Sequence, residues 1–200
     1  TAGDIYIGVV GPVRTGKSTF IKRFMETQVI PNIENVYRKE RARDELPQSG
    51  EGKTITTTEP KFIPPEAVRV NTKGGAGFNV RLVDCVGYLV PGALGNMEDG
   101  KERMVTTLWF EEQVPFSKAA EVGTEKVIKD HSVIGIVVTT DGSFGELPRN
   151  SFLEAEEKTV GQLKELHRPF IIILNSATPQ SAKSKELAAE LEAKYQVPVL

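Results

Sequence analysis

The chain has 200 residues, 25 basic and 27 acidic, for a formal net charge of −2. It is long enough to bury one sizeable core without staples, and so small a charge excess gives no reason to expect a nucleic-acid partner. Its single cysteine, Cys85, excludes an internal disulfide framework, suits a reducing, cytoplasmic setting, and reads as a buried inert thiol in an apolar run. No apolar stretch reaches the length of a membrane span and no signal peptide is evident. The chain opens on Thr1 rather than Met and stops at Val197-Pro198-Val199-Leu200, which reads as a strand. Residues 1–200 are therefore expected to form one domain, the N-terminal part of a longer protein.

The apolar run at residues 5–10 predicts a strand. It leads into Gly11-Pro12-Val13-Arg14-Thr15-Gly16-Lys17-Ser18 and then Thr19, followed by a helical pattern with Phe20, Ile21, Phe24 and Met25 on one face. A strand, a G-x-x-x-x-G-K-S loop and a helix are the parts of a phosphate cradle. Its glycines let backbone N–H groups turn toward an anion, and the helix N-terminus adds partial positive charge. In that role Lys17 reaches the β- and γ-phosphates and the Ser18 hydroxyl ligates Mg²⁺.

Residues 31–53 form a polar stretch too long for an ordinary connector. Arg41 and Glu45 stand at i,i+4 spacing within it, so a solvated helix is expected rather than a partner surface. Thr54-Ile55-Thr56-Thr57-Thr58-Glu59-Pro60 follows, then extended runs at residues 61–63 and 67–70, the turn Lys73-Gly74-Gly75-Ala76-Gly77 and a strand at residues 78–83. So short a glycine-rich connection predicts an antiparallel hairpin. The hairpin closes on Asp84-Cys85-Val86-Gly87, a D-x-x-G match in which Asp84 can hold Mg²⁺ through water and Gly87 can offer its N–H to a γ-phosphate.

Residues 88–129 occupy the place of a second switch, with a helix expected at residues 117–129 and Trp109 expected in the core. Residues 132–140 read as a buried strand ending in the turn Asp141-Gly142-Ser143-Phe144-Gly145, to which plain turn chemistry is assigned. A helix is expected at residues 151–166. Glu154, Glu156 and Glu157 lie near its start, where the macrodipole favours acids and no catalytic role is needed. A strand at residues 170–174 and a helix at residues 184–195 complete the alternation, and His131 and His167 are read as structural. The whole predicts a three-layer α/β domain of the P-loop NTPase kind. Its mixed sheet with one antiparallel pair is that of translation-factor and Ras-like GTPases.

For the Mg²⁺-binding threonine of the first switch the choice is Thr57, with Thr58 as the alternative or as a second γ-phosphate sensor. After Gly87, where Ras-like enzymes keep a water-orienting glutamine, stands Tyr88. Arg14 occupies the loop position at which related cation-dependent enzymes carry a K⁺-binding asparagine, so its guanidinium is a candidate for supplying that charge in cis. The guanine-reading N-K-x-D motif is replaced by Asn175-Ser176-Ala177-Thr178. Asn175 can still brace the phosphate loop, but a threonine hydroxyl cannot make the bidentate charged contact to guanine. ATP is therefore expected in preference to GTP.

These motifs together resemble the N-terminal domain of the stage IV sporulation protein A family of spore-forming bacteria. The resemblance implies a Mg²⁺-dependent ATPase whose hydrolysis drives self-assembly into a homopolymer at the base of the spore coat, on the mother-cell side of the forespore surface. It further implies recruitment by a small amphipathic membrane peptide, and contacts with other coat proteins through regions outside these residues. It assigns nucleotide binding to Lys17, γ-phosphate sensing to Thr57 and Thr58, and Mg²⁺ to Asp84. Two alternatives stay open at this point: a ribosome-associated GTPase, and a nucleotide-binding scaffold without turnover.

Overall fold

The computed structural model describes residues 3–47, 59–71, 77–93, 96–98 and 100–200. The first apolar run is strand β1 (Asp4–Val10), and it lies in the middle of a five-stranded sheet with β2 (Lys61–Asn71), β3 (Gly77–Asp84), β4 (Ile134–Thr140) and β5 (Phe170–Asn175). The order is β2-β3-β1-β4-β5. β1 is parallel to β3 and β4, and β4 to β5, whereas β2 runs antiparallel to β3, as the short glycine-rich connection requires. The two expected runs before the turn are one strand with an irregularity between Ile63 and Val68. Pro64 and Pro65 lie inside it. β2 is an edge strand, where a residue without an N–H costs no ladder bond on its outer side.

Side chains alternate between two buried clusters, as the two-residue period of strands demands. Ile7, Val9, Val80, Leu82, Ile136 and Val138 face one side, where helix α1 (Lys17–Phe24) contributes Ile21 and the turn after it contributes Met25 and Val29. Val10, Val83, Val137, Ile172 and Leu174 face the other. There they meet Val127 and Ile128 after helix α3 (Phe116–Lys126), Val160 and Leu163 of α4 (Leu153–Glu165), and Leu191 and Tyr195 of α5 (Ala182–Tyr195). The result is three layers, helix on sheet on helix.

Helix α2 (Val36–Asp44) is the solvated helix expected from its charges. Asn35 caps it by accepting the Arg38 amide at 3.0 Å, and the Arg41–Glu45 pair closes at 3.1 Å. The end of the chain lies beside β5: Leu200 donates to the Ile172 carbonyl at 2.9 Å, and Ile172 to that of Pro198 at 3.0 Å.

One expectation needs correction and another is extended. Glu156 is a first-turn acid, as expected, but the macrodipole is not its main partner. It is fully buried, accepts from the two terminal guanidinium nitrogens of Arg149 and from the Tyr195 hydroxyl at 2.9 Å, and so ties α4 to α5 and to the end of β4. The pattern hid this because its partners lie on other elements. Trp109 is only half-buried, with the Lys126 ammonium 5.9 Å from its ring centre, and its neighbour Leu108 is exposed.

Candidate nucleotide site

The register sets Val9 opposite Asp84 and Val10 opposite Val137, so the loops leaving β1, β3 and β4 emerge together at the carboxyl edge of the sheet. That edge is where open α/β sheets place ligands. Gly11 turns there with φ of 128°, and a side chain on it would put Cβ 2.5 Å from the Val138 carbonyl oxygen. Gly16 (φ 94°) enters α1 in the left-handed region. Its missing Cβ leaves room for Asn175, whose Nδ2 donates to the Thr15 carbonyl at 3.0 Å. Asn175 thus braces the loop as its sequence position suggested.

The loop is also tied to itself and to the segment after Asp84. Thr15 Oγ1 and Lys17 Nζ both donate to the Pro12 carbonyl, at 3.0 and 2.6 Å. The Val13 amide donates to the Tyr88 carbonyl at 2.9 Å, and the Tyr88 amide to that of Gly11 at 3.3 Å. The Gly16 cap of α1 offers no side-chain acceptor, and the first turn carries no acid. Its amides keep their claim on an anion.

Asp84 closes the other wall. Its Oδ2 accepts from the Ser18 hydroxyl at 3.1 Å, while Oδ1 is buried and has no hydrogen-bond partner among the described residues. Burial pushes its carboxyl up, against the opposing pull of Lys17 and of the Ser18 hydrogen bond. Burial likewise pushes the Lys17 ammonium down, with Cys85 and Asp84 pulling the other way. A polyphosphate against Lys17 and a divalent cation against Asp84 would give each the opposite charge that its burial calls for. The orphaned Oδ1 and the Ser18 hydroxyl suit Mg²⁺. Among the described residues no group of three or more His, Cys, Asp or Glu could hold a metal, and Mg²⁺ commonly takes few protein ligands and completes its shell with phosphate oxygens and water.

Gly87 lies against Lys17, and the room between them is tight: a Cβ on Gly87 would sit 2.6 Å from Lys17 Nζ and 2.3 Å from the Gly11 carbonyl oxygen. Its amide donates to Thr124 Oγ1 of α3 at 3.2 Å. Tyr88 faces away from the loop. Its hydroxyl donates to Gln162, its ring lies 4.4 Å from the Lys158 ammonium, and burial raises its pKa well above the ordinary phenol value. It therefore does not stand in for the missing water-orienting glutamine. Arg14, at φ 63°, and Thr19 present exposed side chains. Thr57 and Thr58 lie outside the described residues.

Where a guanine motif would continue, hydroxyl groups are knitted together instead. Ser176 Oγ lies 3.0 Å from Ser184 Oγ, the Thr178 amide donates to Ser176 Oγ at 3.0 Å, and Ser184 Oγ donates to Asp141 Oδ2 at 3.3 Å. Asp141 Oδ1 accepts the Ser143 amide at 2.9 Å, the turn chemistry assigned to it. Burial alone would raise Asp141, but bonds from Ser143, Ser176 and Ser184 outweigh it and lower the carboxyl.

Residues 1–200 match the family described as "Stage IV sporulation protein A, ATPase domain". The chain belongs to this family. It is 59% identical to the stage IV sporulation protein A of Clostridioides difficile (strain 630), 56% to that of Bacillus anthracis and 54% to that of Bacillus subtilis (strain 168). Each match covers the whole chain and 41% of the relative, so the chain spans about two-fifths of the length of these relatives.

One residue beside this site escaped the sequence reading, Thr124. Thr124 stands in the middle of an amphipathic helix, where a threonine commonly bonds back to its own helix. Only its spatial approach to Gly87, 37 positions away, distinguishes it.

Proposed function

We propose that the chain binds ATP with Mg²⁺ at the loop of residues 11–18 and hydrolyses it. The observation that carries this reading is the meeting of Lys17, Ser18, Asp84, Gly87 and Asn175 at one end of the sheet. The membership in an ATPase-domain family supports it. Lys17 holds the phosphate end of the nucleotide, and the loop amides and the N-terminus of α1 receive its oxygens. Ser18 and Asp84 would hold the metal, directly and through water, with Thr57 or Thr58 as a further ligand or sensor. When bound, Mg²⁺ supplies the charge that neutralises the β- and γ-oxygens. Arg14 at the loop crest is the candidate for a further positive charge in cis. Its replacement by alanine should slow hydrolysis, and an unchanged rate would remove it from that role.

The antiparallel pair between the phosphate loop and Asp84 supports kinship with translation-factor and Ras-like GTPases. ATP rather than GTP is the nucleotide because Ser176 and Thr178 carry no carboxylate to receive guanine. Coupling of hydrolysis to self-assembly at the base of the spore coat, and recruitment by an amphipathic membrane peptide, extend the reading to the longer relatives. A nucleotide competition experiment tests the specificity. ATP should displace a fluorescent ATP analogue at a concentration at least tenfold below that of GTP, and equal or stronger displacement by GTP would favour the GTPase alternative.

A further inference from the structure

The Gly87 amide carries one proton, and two acceptors have a claim on it. One is observed: Thr124 Oγ1, fully buried on α3, at 3.2 Å. The direction of that bond is fixed, because the Thr124 hydroxyl donates its own proton to the Ala120 carbonyl at 2.8 Å and can only accept from Gly87. Ala119, Ala120 and Gly123 are buried on the same helix, and their small side chains let α3 approach this closely. The other claimant follows from position. Gly87 is packed against Lys17 Nζ and the Gly11 carbonyl, so its amide stands at the end of the loop where the terminal phosphate of a triphosphate is held. A phosphate oxygen carries charge and is the stronger acceptor; a neutral hydroxyl at 3.2 Å is the weaker.

We propose that Thr124 is a latch on the D-x-x-G segment, competing with the γ-phosphate of bound ATP for the amide proton of Gly87 and thereby setting the preference between ATP and ADP. Thr124 is a positioning residue in this account, which rests on the ATPase reading above. With ADP the amide stays on Thr124 and α3 stays pinned to residue 87; with ATP the amide is drawn to the phosphate and that pin is released. The next residue extends the effect. Tyr88 donates to Gln162 of α4, and Gln162 in turn donates to Glu125 of α3 at 3.4 Å. Lys158 of α4, above the Tyr88 ring, also pairs with Glu121 of α3. A shift of residues 87 and 88 toward the loop therefore bears on the contacts between α3 and α4, which carries the nucleotide state to the outer faces of these helices.

The test compares binding of ADP and of the β,γ-imido analogue of ATP to the parent chain, Thr124→Val and Thr124→Ser. Valine keeps the shape and removes the acceptor, leaving the amide unpartnered with ADP but not with the triphosphate. The ratio of ADP to analogue dissociation constants should rise about fivefold or more in Thr124→Val, the factor expected for one buried donor left unpaired. It should stay near the parent value in Thr124→Ser, which retains the hydroxyl. An unchanged or lower ratio in Thr124→Val, with both nucleotides still bound, would overturn the latch and leave the ATPase reading standing. Failure of the parent to bind either nucleotide would overturn both. Because the valine variant also loses the bond to Ala120, the Gly87 amide resonance of the parent provides a second measurement. It should move downfield when the analogue replaces ADP, as a charge-assisted bond forms, and coincident resonances would contradict the proposal.

Discussion

Replacing Gly87 by alanine puts the packing around Lys17 to a quantitative test. The new Cβ would lie 2.3 Å from the Gly11 carbonyl oxygen, which is backbone and cannot swing aside, and 2.6 Å from Lys17 Nζ. Both approaches are about 1 Å inside ordinary contact. The residue also has φ of 93°, where an L side chain costs roughly 1–2 kcal/mol. Relief of the overpacking adds about 1–3 kcal/mol, giving a loss of about 2–5 kcal/mol in all. For a domain of this size that lowers Tm by about 5–20 °C. The second consequence is functional, since the displaced Lys17 and the crowded amide no longer receive phosphate. In thermal unfolding with a triphosphate at about 100 times its parent Kd, the parent should gain about 2.7 kcal/mol, or roughly 5–11 °C. The variant should gain almost nothing. A Gly87→Ala protein with parental Tm and a parental rise on adding nucleotide would refute the geometry on which this account of the site rests.

Glu156→Ala strands the Arg149 guanidinium, which is mostly buried, and should cost about 3–5 kcal/mol in denaturant unfolding. Tyr195→Phe, which removes one bond to the same carboxylate, should cost about 1 kcal/mol; a Glu156→Ala loss no larger than that of Tyr195→Phe would contradict the role given to this buried pair. Burial pushes the Cys85 thiol up to about 11, so at pH 8 iodoacetamide should modify it at an appreciable rate only after unfolding. Rapid modification of the native chain, followed by mass spectrometry, would show the thiol to be reactive after all.

The parts of this site that the sequence disclosed are those whose chemistry is local. A loop between two periodic runs, a short glycine turn that forces an antiparallel return, and an aspartate closing an apolar strand each write their function into adjacent residues. The structure places Lys17, Ser18, Asp84 and Asn175 together because β1, β3 and β5 all end at the same edge of the sheet. What the sequence did not disclose are the partners that lie elsewhere in the chain. Glu156 sits where a helix start favours any acid, so nothing in its own turn announces Arg149, Thr139 and Tyr195. Tyr88 follows D-x-x-G at the position of a catalytic glutamine, and its sequence position did not announce Gln162 and Lys158 of α4, which its hydroxyl and ring meet. Gly87 was read for the ligand alone, and the competing acceptor on α3 is visible only in three dimensions.

The most direct test of the central claim is steady-state phosphate release from ATP and from GTP, with Mg²⁺, by the parent chain, Lys17→Ala and Thr57→Ala. ATP turnover that both substitutions reduce, with little GTP turnover, is the predicted result. Preferential turnover of GTP, or ATP turnover that survives the loss of Lys17, would contradict it.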